Sequence, residues 1–135
     1  MKTTICREAH FNACHRMHNP NWTDQKNEAV FGVCNNVNYH GHNFRLIVKI
    51  TGEINPETGY VMDMKVLGTI IKDEIEDRFD HKNLNLDCPE FKDKIASTEN
   101  FAWVIHSIIK TKISADLKLK IILFETNKNS VEVED

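Results

Sequence analysis

The hydrophobic period of this chain changes twice, and that change constrains the fold more than any other feature. Phe44, Leu46, Val48 and Ile50 alternate with Arg45, Ile47, Lys49 and Thr51. A period of two predicts a strand with one covered face. Met64, Leu67, Ile71, Ile75 and Phe79 then recur at three to four residues, the spacing of one helical face. Asp63 is placed to cap that helix. A second helix is predicted from Ser97-Thr98, with Phe101, Val104, Ile105, Ile108 and Ile109 as its apolar stripe. Alternation returns at Leu119, Ile121 and Leu123. A turn at Asn127-Lys128-Asn129 leads into a short acidic strand with Val131 and Val133.

Residues 2–14 read as a first strand, 17–33 as an irregular stretch with a short helix over 24–31, and 80–96 as a loop. The predicted order is β-β-α-α-β-β. That order implies an α+β fold: a four-stranded antiparallel sheet with two helices on one face. Its two edges need covering or pairing, and pairing between identical subunits would close an oligomeric barrel. The length of 135 residues fits one domain, 1–135, with a core that needs no disulfides.

Charge and composition narrow the function. Seventeen Lys and Arg against 20 Asp and Glu give −3. That balance excludes a strongly basic nucleic-acid binder. No apolar run is long enough to span a bilayer, and the first residues carry no apolar signal core. The expected location is therefore the cytoplasm, where Cys6, Cys14, Cys34 and Cys88 would be free thiols.

His40-Gly41-His42 is the strongest local feature. On an extended backbone its two imidazoles share one face, and Gly41 would allow a close backbone approach. Two neutral imidazoles on one face suit a zinc ion. A third ligand could come from His15, with His10 and His18 as rivals. Cys34 is open to two readings. As a fourth ligand it would close the centre into a structural site; as a free thiol it would serve as base or nucleophile. Asp80-His81 offers a carboxylate that can orient an imidazole, or else a loop cap. Glu125 ends an apolar strand. It reads either as a strand-end ion pair or as an acceptor for two parallel N–H donors, such as a pterin edge.

Taken together, Phe11-Asn12-Ala13-Cys14-His15-Arg16, the run Cys34 to Asn43, Asp80-His81-Lys82-Asn83-Leu84-Asn85, Ser97-Thr98-Glu99-Asn100 and Glu125-Thr126 resemble the 6-pyruvoyltetrahydropterin synthase family in order and spacing. The resemblance covers essentially the whole chain. It implies the tunnelling fold, with trimers stacked into hexamers and active sites between subunits. It implies that His15, His40 and His42 bind Zn2+ and that Cys34 is the general base. Asp80 and His81 would be the partner pair from a neighbouring subunit. Glu125 would anchor the pterin, and Thr98 with Ser97 would help hold its ring. The implied substrate is 7,8-dihydroneopterin triphosphate, which leaves Mg2+ open as a companion of the triphosphate.

Two activities share this framework. The 6-pyruvoyl enzymes of tetrahydrobiopterin biosynthesis eliminate triphosphate. The 6-carboxytetrahydropterin synthases of queuosine biosynthesis also release acetaldehyde. Five residues separate Cys34 from His40, which resembles the 6-pyruvoyl type. A non-catalytic zinc or pterin-binding module is the alternative from another class. Cys14, Val37 and Tyr39 depart from residues that are often Ser, Pro and Gly in the family, and Tyr39 bears on side-chain specificity.

Overall fold

A computed structural model describes residues 1–135. Strands β1 (Lys2–His15) and β2 (His40–Glu53) form a long antiparallel hairpin. The short helix α1 (Asp24–Phe31) lies between them, capped by Thr23. Helix α2 (Met64–Ile71) starts on the Asp63 cap, passes through a π-helical segment (Lys72–Glu76) and ends in α3 (Asp77–Phe79). Helix α5 (Thr98–Lys110) follows, after β3 (Lys82–Asn83) and α4 (Leu84–Asp87). Strands β4 (Lys118–Phe124) and β5 (Ser130–Glu134) close the chain.

The sheet has five strands, in the order β3-β1-β2-β4-β5. This corrects the four-stranded antiparallel expectation, because residues 82–83 pair in parallel with Ala13 and Cys14. The stretch read as a loop over 80–96 therefore contains a strand, a helical turn and a 3-10 turn (Pro89–Phe91). Two residues are too few to show a period, so nothing in the hydrophobic pattern marks β3. It is held instead by its ends. The Asn12 N–H donates to Asp80 Oδ1 at 2.9 Å, and the His81 N–H donates to the Asn12 carbonyl at 2.6 Å.

The periodicities do their expected work elsewhere. Ala9, Phe11, Ala13, Phe44, Leu46, Val48, Ile50, Leu119, Ile121 and Leu123 all point to the helical side and are buried. Helix α2 lies against β1, and α5 lies against β4 and β5. Phe101 of α5 is the hub of the core. Its ring meets Phe44 at 5.3 Å, Phe79 at 5.0 Å, Phe91 at 5.6 Å and Phe11 at 5.8 Å, all edge to face. Edge-to-face contacts of this kind add about 0.5–1.5 kcal/mol each beyond burial. The aromatic cluster continues upward, since Phe44 also lies 5.7 Å from the His42 ring.

Two non-glycine residues adopt the left-handed region, Tyr39 (φ 68°) and His81 (φ 62°). Tyr39 immediately precedes His40. A side chain there carries a cost of roughly 1–2 kcal/mol that glycine avoids. Glycine in turn enlarges the entropy of the unfolded chain by about 0.5–1 kcal/mol. Tyr39→Gly is thus expected to raise stability by up to about 1 kcal/mol, read as a higher urea midpoint with an unchanged slope.

Candidate metal centre and its surroundings

The hairpin register assembles the centre. His15 is the direct cross-strand partner of His40, and Ala13 is the partner of His42. Opposed residues of an antiparallel pair share a face, as do residues two apart on one strand. All three imidazoles therefore project from one end of the sheet on its helical side. Their ring centroids lie 4.6 Å (His15–His40), 5.1 Å (His15–His42) and 5.0 Å (His40–His42) apart. One donor nitrogen from each lies within 4.8 Å of the others.

The rivals for third ligand fall elsewhere. His10 is on the opposite face and largely exposed, beside Glu8. His18 uses Nδ1 on Asn35 Oδ1 at 2.9 Å. Gly41 was expected to permit a close backbone approach. A Cβ built there would lie 3.6 Å from the Ala13 carbonyl oxygen and 3.8 Å from Cys14 Cβ, ordinary contacts. The geometry of the trio therefore comes from the register and places no demand on the glycine.

The chemistry of the donor set fits a divalent cation. His15 is 2% exposed, and its Nδ1 donates to the Ala96 carbonyl at 2.6 Å. A carbonyl can only accept, so the proton sits on Nδ1 and the lone pair of Nε2 faces the cluster. Such a bond is the usual way a protein orients a ligating imidazole. His15 Nε2, His40 Nδ1 and His42 Nε2 are buried without a hydrogen-bond partner. Burial lowers the pKa of all three histidines, chiefly by desolvation, and so favours the neutral form a metal requires.

Glu125 adds negative charge without joining the cluster. Its carboxylate oxygens lie 3.7 Å from His42 Nε2 and 3.9 Å from His15 Nε2, too far for hydrogen bonds. It has no lysine or arginine partner within the chain, and its neighbours of opposite potential charge are these two imidazoles. Thr98 Oγ1 donates to Glu125 Oε2. Ser97 does the capping of α5 by accepting the Asn100 N–H at 3.1 Å, which leaves the Thr98 hydroxyl free for Glu125.

Cys34 sits on a 3-10 turn (Gly32–Asn35) and is half-buried. It lies outside the group of three metal donors. Two bonds tie its turn to the end of β1: Met17 N–H to the Cys34 carbonyl, and Arg16 Nε–H to the Asn35 carbonyl, both 2.8 Å. Asp80 and His81 stand at the β3 edge, where Asp80 Oδ2 is 2.9 Å from His81 Nδ1. The Asn12 N–H, and then the His81 bond, hold the Asp80 carboxyl below its usual range. One Asp80 oxygen thus meets a backbone amide while the other lies against the His81 ring. The His81 side chain is 77% exposed, pointing away from the chain's own core. Sequence reasoning missed Ala96 and the Asn12 amide, which act through backbone atoms and leave no residue signature.

Fold and site define a class first: an α+β protein with a three-histidine cluster able to hold a metal ion at the end of a long hairpin. The chain matches the profile "PTPS: 6-pyruvoyl tetrahydropterin synthase" over residues 4–135. The 6-pyruvoyl tetrahydrobiopterin synthase of Poecilia reticulata is 41% identical over 127 residues, 94% of this chain and 86% of that protein. The structure of Caenorhabditis elegans 6-pyruvoyl tetrahydropterin synthase superposes with a TM-score of 0.94 at 34% identity, covering 100% of this chain and 96% of that one. A protein of Pyrococcus furiosus named dihydroneopterin monophosphate aldolase is 34% identical over 137 residues, 99% of both chains. The chain belongs to the 6-pyruvoyl tetrahydropterin synthase family, and it is an enzyme of the lyase class.

Proposed function

We propose that residues 1–135 form one pterin synthase domain, a zinc-dependent carbon–oxygen lyase of the 6-pyruvoyl type. Its substrate in this reading is 7,8-dihydroneopterin triphosphate, and triphosphate is the leaving group. The observation that carries the reading is the trio His15, His40 and His42, whose unpartnered ring nitrogens gather within 4.8 Å of one another. Three protein ligands with one open position is the layout of catalytic zinc. Zinc bound there supplies Lewis-acid polarisation of the substrate's side-chain oxygens.

The chain's own residues do the rest. Glu125, steadied by Thr98, accepts the paired N–H donors of the pterin ring, and Ser97 holds the helix start that presents Thr98. Cys34 as thiolate takes a proton from the substrate side chain. The electron pair left behind expels triphosphate, and keto–enol shifts return protons to the ring. The reaction is internal, so no redox cofactor is needed. Asp80 orients His81 as proton relay. Cys34 and the Asp80-His81 corner lie on separate segments, and the relay in this reading comes from a neighbouring subunit of a homo-oligomer, a dimer of trimers. Magnesium would enter only with the triphosphate. No helix is long and apolar enough to cross a membrane, and the four cysteines are free, which supports a cytoplasmic setting.

The deciding experiment incubates zinc-loaded protein with dihydroneopterin triphosphate and measures phosphate release together with the mass of the pterin product. The pyruvoyl product with released triphosphate is expected. A carboxy product with acetaldehyde would place the chain with the queuosine-type enzymes. Carbon–carbon cleavage with phosphate still on the released fragment would favour the aldolase chemistry named for the Pyrococcus relative. Unchanged substrate would leave a binding module.

A further inference from the structure

The residues next to the metal ligands share a second feature. Arg16 follows His15, Tyr39 precedes His40, and Ile95 precedes Ala96, whose carbonyl holds His15. All three line a cavity of about 610 Å³. Lys92 and Lys94 line it too, so three permanent cations face one carboxylate, Asp93. Arg16, Lys92 and Lys94 make no ion pair, and what sets them apart from the chain's other unpaired cations is that all three line one cavity.

Arg16 is the least expected of the three. It is half-buried. Its backbone is locked by a reciprocal amide pair with Asn85, at 2.8 Å (Arg16 N–H to Asn85 Oδ1) and 3.0 Å (Asn85 Nδ2–H to the Arg16 carbonyl). Its Nε–H is committed to the Asn35 carbonyl. The two terminal nitrogens have no protein acceptor. A guanidinium held in place, partly desolvated and without an anion is costly by itself and preorganised for one.

The environment of His15 is polarised accordingly. Its Nε2 side faces the Glu125 carboxylate, and its Nδ1 is bonded to Ala96, the residue that follows Ile95 of the cationic cavity. A carboxylate beside the cluster and a basic cavity lined by the chain neighbours of His15 and His40 lie in the same region of the fold. They match a ligand with N–H donors at one end and several phosphates at the other.

We propose that this cavity seats the polyphosphate tail of the substrate, with Arg16, Lys92 and Lys94 as its ligands. The assignment rests on the reading of the site as a pterin triphosphate lyase. Lys92 and Lys94 are exposed, so their removal leaves the fold intact, whereas Arg16 also braces the Cys34 turn and makes an ambiguous variant.

The test titrates zinc-loaded wild type and the double variant K92Q/K94Q with inorganic tripolyphosphate by calorimetry. Zinc content is assayed in each sample, because tripolyphosphate is itself a chelator. Wild type should bind tripolyphosphate more tightly than orthophosphate, and more weakly as salt rises. The double variant should lose about tenfold in affinity. Its KM for dihydroneopterin triphosphate should rise by the same factor, with the loss in KM rather than kcat. Lys118→Gln, a lysine away from the cavity, should change neither. Equal tripolyphosphate affinity in wild type and double variant, or none in wild type, overturns the assignment. If tripolyphosphate binding is lost in the variant but the pterin triphosphate is never turned over, the anion site stands and the lyase reading falls. If turnover occurs with KM unchanged in the variant, the reverse holds.

Discussion

Cys34→Ala is expected to keep the metal content of the wild type and to lose turnover by about 10²–10⁴-fold, the range for removing a general base. The structure separates these two readouts. The thiol lies outside the three-histidine group, so its removal takes nothing from the coordination sphere. The turn that carries it is fixed through backbone carbonyls, which Met17 N–H and Arg16 Nε–H hold irrespective of the side chain. The alanine variant should therefore present the same cavity without the group that takes up the proton. Zinc analysis and steady-state rates on one preparation check both halves. Loss of zinc in this variant would make Cys34 a ligand and the centre structural. Full turnover would pass the role of base to another group.

Much of this was legible in the sequence, and the reasons differ from part to part. The hairpin β1–β2 was readable because alternation over 44–51 leaves one register face apolar. The two main helices were readable because period and cap agree at Asp63 and at Ser97. His40 and His42 were paired by spacing alone. The choice of His15 over His10 and His18 was not fixed by spacing, because it depends on which residue the register sets opposite His40. The β3 strand escaped for a different reason. It is two residues long and is held through the Asn12 backbone, by the Asp80 carboxylate and the His81 N–H, contacts that no hydrophobic period records. Glu125 stands out in the sequence as a carboxylate at the end of an apolar strand. Its actual neighbours, Thr98 and two imidazoles, come from three separate elements and could not be read from its own segment. Tyr39 was noted only as a bulky departure, and its left-handed backbone is a property of the fold.

His42→Ala should abolish tight metal binding, and the wild type shows why the loss should be large. Removing a group that merely supports a ligand costs ten- to a hundredfold in affinity. Removing one of three ligands should cost more than about a hundredfold. His15 and His40 would remain 4.6 Å apart between ring centroids as a two-point site. The measurement is a chelator competition paired with thermal unfolding. At a hundred times the dissociation constant, a ligand stabilises the folded state by about 2.7 kcal/mol. Stripping the wild type should therefore lower its midpoint by on the order of 10 °C, and the variant should not respond. The pH dependence follows from the same burial. All three histidines have folded-state pKa values below the ordinary imidazole value of about 6.5, mainly through desolvation. Above 6.5 both the folded and unfolded chains carry them neutral, and they impose no slope. As pH falls from 6.5 through the lowered folded values, the unfolded chain binds more protons, so the metal-free protein loses stability. In the folded protein the same depression delays proton competition, and metal should be retained to a lower pH than free imidazoles would allow. His42→Ala should flatten the metal-free slope below pH 6.5 while sparing the fold. A variant that kept both the slope and the metal would show that His42 is not part of the centre.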